Sequence, residues 1–270
     1  MSVESKNILR VNAGKAKEVS DALLCEAPMQ VLINEENYTS TMRTAGHDRE
    51  LVRGILYTED ILAESNEYFD YSVLEPDGLI SSVNINIPEV FLCDKNTERR
   101  NMSSSSCGLC GKTSLDLADF TITDMTLRAD APFSVEQIKE MMAQMAEQQI
   151  IFKETGACHA AAMFDSAGVC LTVMEDIGRH NAVDKCIGTL LLKEQLESAV
   201  VMTVSGRISY EIVYKAIRAG ISFLVAVSAP SALAVDMAEK AGMVLIGFCR
   251  DERLTVYTHQ DLITLNEREN

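Results

Sequence analysis

Val200–Phe248 reads VVMTVSGRISYEIVYKAIRAGISFLVAVSAPSALAVDMAEKAGMVLIGF. Short runs rich in β-branched residues fall at Val200–Val204, Phe223–Val227 and Met243–Phe248. Between them, Tyr210–Ala219 and Ala232–Ala241 carry apolar residues at helical spacing. Glu211 with Lys215, and Asp236 with Lys240, are spaced i,i+4 on faces opposite Ile212, Ile217, Leu233 and Met237. Gly220 and Gly242 stand where each helix should stop. Strand and helix in strict alternation predict an α/β layered domain with a mixed sheet.

The pattern extends in both directions. Leu254–Tyr257 reads as a last strand. Upstream, His159–Phe164 and Val169–Met174 read as strands joined by the turn Asp165–Gly168, and about Asn181–Leu192 as a helix. Ser134 and Gln137 have capping-box spacing ahead of a helix whose Ile138, Met141, Met142 and Met145 form a core-facing stripe. The first hundred residues form a β-rich module. Met29–Asn34 and Tyr38–Thr44 favour strands, and a helix over about Asp48–Leu56 puts Leu51, Val52, Ile55 and Leu56 on one side. Ser81–Ile87 alternates apolar and polar residues with period two. The chain divides into a β-rich N-terminal module with one helix (1–105), a cysteine loop and linker (106–130) and an α/β domain (131–270).

Composition narrows the function. The chain has 270 residues, 47% of them hydrophobic, and a formal net charge of −16. That charge excludes a general nucleic-acid binder, which needs a basic surface, so an anionic ligand must be met by local donors. The first fifteen residues lack the apolar stretch of a signal peptide, and no run is apolar enough to span a membrane, so the expected location is the cytoplasm. Of the 8 cysteines, Cys25, Cys93, Cys158, Cys170, Cys186 and Cys249 lie in or beside apolar stretches and read as small buried hydrophobes.

Cys107 and Cys110 differ. They follow the polar run Asp94–Ser106 (DKNTERRNMSSSS) within SSSSCGLCGKTS, Ser103–Ser114. Glycines leave the backbone open to a partner, and Lys112 favours thiolate over thiol. Three chemistries fit the spacing: half of a zinc site, a dithiol–disulfide couple, or a persulfide carrier assisted by the second thiol. Zinc needs further ligands, and no second CxxC or HxxxH is present. The serine- and glycine-rich setting is unlike a redox couple that opens a helix after a strand.

Two further segments share a design. In EDIGRHNAVDK (Glu175–Lys185) and TVSGRISYEIVYK (Thr203–Lys215) a strand ends, a Gly-Arg pair turns the chain and a helix begins. Gly178 and Gly206 permit close approach, the helix starts offer N–H groups, and Arg179 and Arg207 add forked donors suited to phosphate. His180, Asn181 and Ser205 supply further polar groups. Two such turns at neighbouring strand ends would make one anion pocket. Phe248–Arg253 (FCRDER) is a third candidate, with Arg250 and Arg253 after the last core strand.

Taken together, SSCGLCGK (Ser105–Lys112), TGACHAAAMFD (Thr155–Asp165), EDIGRHNAVDKCIG (Glu175–Gly188), SGRISYEIVYKA (Ser205–Ala216) and VSAPSALAVDMAEKAGMVLIGFCR (Val227–Arg250) resemble the FdhD family of formate dehydrogenase accessory sulfurtransferases. The resemblance runs from Arg43 to Thr258. It implies a sulfur carrier that takes sulfur from a cysteine desulfurase as a persulfide. The sulfur would pass to the molybdenum cofactor, bis-molybdopterin guanine dinucleotide, before insertion into the formate dehydrogenase apoenzyme. It implies Cys107 as carrier with Cys110 as its partner, cofactor contacts over Phe248, Cys249, Arg250, Asp251, Glu252 and Arg253, and a homodimer. It also implies a cytidine-deaminase-like second domain. Ala160 and Ala161 follow His159, and Ser231 and Ala234 follow Pro230, where a deaminase would carry its Glu and zinc cysteines; no metal held by the protein is expected. A non-covalent cofactor-binding chaperone is the alternative.

Overall fold

The computed structural model describes residues 2–63, 69–74, 81–88 and 132–265. In chain order the elements are β1 (Val3–Asn12), β2 (Lys15–Leu24), β3 (Ala27–Ile33), β4 (Glu36–Arg43), α1 (Asp48–Thr58), β5 (Asp70–Val73), β6 (Ser81–Asn86) and β7 (Phe133–Ser134). After these come α2 (Val135–Gln148), α3 (Ile150–Thr155), β8 (His159–Phe164), β9 (Cys170–Asp176), α4 (Arg179–Leu192), β10 (Val201–Val204) and α5 (Tyr210–Arg218). The chain closes with β11 (Phe223–Ala226), α6 (Ala232–Ala241), β12 (Val244–Arg250), β13 (Arg253–Val256) and β14 (Ile263–Thr264).

A six-stranded mixed sheet, ordered β13-β12-β11-β10-β8-β9, is the frame. Period-two alternation builds its two cores. Ala161, Met163, Met202, Val204, Leu224, Ala226 and Leu245 pack with residues of α4, α5 and α6 on one face. Ala160, Ala162, Phe164, Val201, Phe223, Val225, Val244 and Ile246 meet Ile138, Met141, Met142 and Met145 of α2 on the other. The methionine stripe is therefore core. At the start of α2, the Ser134 side chain accepts from Gln137 N–H while the Gln137 side chain accepts from Ser134 N–H, the expected capping box. Gly242 closes α6 in the left-handed conformation at φ 73°, and Gly220 lies just beyond the end of α5 at φ 69°.

β9, β10, β11 and β12 all run in one direction, because β8 is antiparallel to both β9 and β10 while β10–β12 are parallel. Their C-terminal ends share one edge of the sheet with the starts of β8 and β13. In α/β sheets, ligands settle at this edge, where strand order reverses.

The N-terminal part forms a four-stranded sheet, β4-β3-β6-β5, whose core with Leu51, Val52, Ile55 and Leu56 of α1 is separate. It is docked tightly. A β-carbon on Gly54 of α1 would lie 1.9 Å from Asp184 O, and one on Gly188 of α4 would lie 1.8 Å from Glu50 O. The two helices thus cross backbone to backbone, and only glycine fits at either position. The expected module boundaries at 105/106 and 130/131 lie outside the described residues.

Several expectations are corrected. Residues 3–24 form a β1–β2 hairpin, which no strand signal in the sequence predicts. Its strands are mostly exposed on both faces, so no apolar alternation marks them. Leu233 is exposed rather than packed with Met237. Glu211 and Lys215 turn to different partners, His180 and Asp184, instead of to each other. Among the cysteines, Cys158, Cys186 and Cys249 are buried, but Cys25 and Cys170 are only partly so; Cys93 lies outside the described residues. The helix expected from Asn181 begins at Arg179, and the strand expected to end at Met174 runs on to Asp176. No helix among the described residues is long and apolar enough to cross a membrane.

Candidate functional site

Asp176, the last residue of β9, organises the first Gly-Arg turn. Its fully buried carboxylate accepts from Gly178 N–H at 2.8 Å and Asn181 Nδ2 at 3.1 Å through one oxygen. The other oxygen takes Thr44 N–H at 3.1 Å and the buried Lys185 Nζ at 2.8 Å. Lys185 also donates to Thr44 O, Asn181 to Met42 O, and Ile177 N–H to Thr44 Oγ1. The end of β4 is thus bolted to the turn that opens α4. A β-carbon on Gly178 would lie 3.0 Å from Asn181 Nδ2, so crowding rather than a left-handed backbone favours glycine here.

The two turns were expected at neighbouring strand ends. In fact β8 separates β9 from β10, and the turns meet over its first residue, His159. Arg179 Cδ and His159 Nδ1 both lie 3.4 Å from where Gly206 would carry a β-carbon. Ser205 Oγ accepts from Ala160 N–H at 2.9 Å and lies 3.5 Å from His159 Nδ1. His180 Nε2 reaches across to Ser209 Oγ at 3.3 Å and Glu211 Oε2 at 3.1 Å. Arg179, His180, Ser205 and Gly206 are therefore brought together, with Arg207 exposed at the same turn. His159, Ser209 and Glu211 join them and were missed. The sequence marks His159 as the start of a strand and as the residue standing at the dismantled deaminase zinc position rather than as a ligand contact, and it offers Glu211 as a local pair with Lys215.

The electrostatics suit an anion. Burial, reinforced by Arg179, His180 and Arg207, holds His159 below its ordinary pKa despite Asp176, which favours the neutral imidazole. Arg179 Nε is buried with no hydrogen-bond acceptor among the described residues. An unsatisfied buried N–H of this kind is costly unless a ligand meets it. Neither Gly178 nor Ser209 closes its helix with a side-chain cap, so the first turns of α4 and α5 add positive potential at the same place.

Phe248–Arg253 spans the end of β12, the turn at residues 251–252 and the start of β13 on this edge, so Arg250 and Arg253 pair within the hairpin rather than following the last strand. Phe248 and Asp251 adopt left-handed backbone, φ 53° and 52°, and the Arg253 guanidinium lies 4.8 Å from the Phe248 ring centroid. The turn joins the rim through the β11–α6 loop: Phe248 N–H donates to Ser228 O, and Ile208 N–H to Ala229 O. Cys249 points into the core, which corrects its expected contact with ligand. Glu252 pairs with Lys139 of α2 at 2.8 Å. Arg250, Asp251 and Arg253 are exposed. Burial pushes the Cys158 thiol up to about 12, with Glu175 and Asp176 adding to the shift, so it is no nucleophile. Among the described residues no group of three His, Cys, Asp or Glu could hold a metal. Cys107, Cys110 and Lys112 lie outside the described residues.

A family model described as the FdhD/NarQ family matches residues 24–264. The chain belongs to the FdhD/NarQ family. The sulfur carrier protein FdhD of Sulfolobus acidocaldarius is 38% identical over 267 residues, covering 98% of this chain and 100% of the relative. The protein of the same name from Streptomyces avermitilis is also 38% identical, covering 97% and 96%. Among solved structures, a protein described as a formate dehydrogenase accessory protein from Desulfotalea psychrophila superposes with a TM-score of 0.74. It covers 98% of this chain and 100% of its own at 20% identity, a likeness of fold.

Proposed function

We propose that this FdhD/NarQ chain is a sulfur carrier that serves formate dehydrogenase maturation, with Cys107 as the atom-carrying residue and Cys110 as its partner. The observation that carries this reading is the end-to-end match to relatives named sulfur carriers. In the first step the Cys107 thiolate attacks the terminal sulfur of a persulfide on a cysteine desulfurase. The donor's S–S bond breaks, its cysteine leaves as thiolate, and Cys107 holds the sulfur. Attack by the Cys110 thiolate on Cys107 Sγ then releases hydrosulfide and leaves a Cys107–Cys110 disulfide.

The acceptor is the molybdenum cofactor, bis-molybdopterin guanine dinucleotide, bound as substrate at the sheet edge. Its diphosphates fit the unsatisfied Arg179 Nε, the Arg207 guanidinium and the two helix starts. Gly206 and Ser205 let the backbone approach, and the Phe248–Arg253 turn extends the rim. A homodimer would offer one such edge to each guanine end. In this reading the six-stranded sheet is a cytidine-deaminase-like frame without the zinc ligands, and the protein works in the cytoplasm as a sulfurtransferase.

Restoration of formate dehydrogenase activity in cells lacking their own carrier tests this. Cys107→Ala should abolish restoration while the protein stays folded. A non-covalent chaperone predicts the opposite: full support from Cys107→Ala, and loss with Arg179→Ala.

A further inference from the structure

One side-chain contact ties the two Gly-Arg turns together. His180, in the first turn of α4, meets Glu211, in the first turn of α5, at 3.1 Å, and both side chains are 15% exposed. Glu211 is not held by its sequence neighbour. Lys215 Nζ is committed to both oxygens of Asp184 at 2.8 Å and to Thr58 Oγ1 at 2.8 Å. Burial works to raise the Glu211 pKa, but the hydrogen bond and charge of His180, with Lys215 and Arg179 beyond, bring it below the ordinary value. A carboxylate at the rim of an anion pocket would by itself repel the ligand, so its place there calls for another role. The contact supplies one: Glu211 Oε2 at 3.1 Å and Ser209 Oγ at 3.3 Å flank the same ring nitrogen, which holds the imidazole in the cleft between the α4 and α5 turns.

We infer that Glu211 is a positioning residue of this pocket, holding His180 across the two turns so that the ring and Arg179 meet a bound diphosphate together. The inference rests on the phosphate-binding reading of the pocket. It adds to that reading a residue that touches no ligand.

Titration of the full chain with guanosine diphosphate, the end fragment of the proposed substrate, tests the inference. His180→Ala and Glu211→Ala should each weaken binding about tenfold, the scale of one charge-assisted hydrogen bond. The double variant should bind no worse than either single one, because the two side chains act as a unit. Glu211→Gln keeps an acceptor for Nε2 and should bind within about twofold of wild type. Additive losses, wild-type binding by Glu211→Ala, or loss of binding only together with loss of folded signal would each overturn the inference. The His180 ring resonances provide a readout without ligand: they should move in Glu211→Ala and stay in Glu211→Gln. If wild type fails to bind the nucleotide, the phosphate reading falls, and an unmoved ring in Glu211→Ala would overturn the positioning role on its own.

Discussion

The Arg179 side chain packs over Gly206, its Cδ only 3.4 Å from the place a β-carbon would take. One Gly-Arg turn therefore supplies the guanidinium and the other supplies the space for it. An alanine at 206 would make ordinary contact, whereas a branched side chain would push Arg179 away. Gly206→Val should weaken guanosine diphosphate binding about tenfold, the value of one charge-assisted bond, and Gly206→Ala should retain most of it. Calorimetric titration of the two variants side by side checks this.

The α1–α4 crossing is the least forgiving contact in the described structure. At Gly54 and Gly188 an added methyl group would overlap backbone atoms, so neither helix can yield by a rotamer change. Gly54→Ala and Gly188→Ala should each destabilise the protein by about 3 kcal/mol or more. Chemical denaturation measures the loss, and unchanged midpoints would show that the helices are further apart.

Asp176 and Lys185 form an ion pair with almost no exposure. Removing one partner strands the other charge in the core. Lys185→Met should cost about 3–5 kcal/mol. The Asp176→Asn/Lys185→Met double variant should lose less than the sum of the single losses, as a denaturation-based double-mutant cycle will reveal. Because Asp176 also fixes the Gly178 N–H and Asn181, Asp176→Asn should weaken nucleotide binding as well.

Burial separates the thiols. It raises Cys158 to about 12 and Cys249 to about 11, and pushes Cys186 up as well. At pH 8, Cys158 should alkylate about a thousandfold more slowly than an ordinary thiol, since only the thiolate reacts. Peptide mapping after iodoacetamide should find label on Cys107 and Cys110 and leave these three unmodified. The linkage sign follows. A raised thiol pKa contributes stability that is intact below the unfolded value of 9.0 and is lost as pH rises through the folded value of about 12 for Cys158.

The frame was legible because its signals are local and repeated. Short uninterrupted apolar runs at Ala160–Phe164 and Phe223–Ala226, buried on both faces, and helical spacing in Ile138–Met145 mark its strands and its covering helix. The β1–β2 hairpin escaped because both its faces are largely exposed, so no alternation sets its register. The Gly-Arg turns could be seen, but their meeting could not, because it depends on β8 lying between β9 and β10. Local spacing offered Glu211 to Lys215, while the fold brought His180 and Asp184 closer to each. Cys249 entered the expected ligand stretch through the family resemblance, whereas its apolar setting already pointed inward, and strand alternation places it in the core.

The central claim is that Cys107 carries sulfur. Incubation of the purified chain with a cysteine desulfurase and cysteine, followed by mass mapping of the peptide holding Cys107 and Cys110, tests it most directly. Persulfide formation should add about 32 Da at Cys107, and the addition should be absent from Cys107→Ala. A peptide that gains no mass, or a Cys107→Ala protein that still loads sulfur on Cys110, would contradict it.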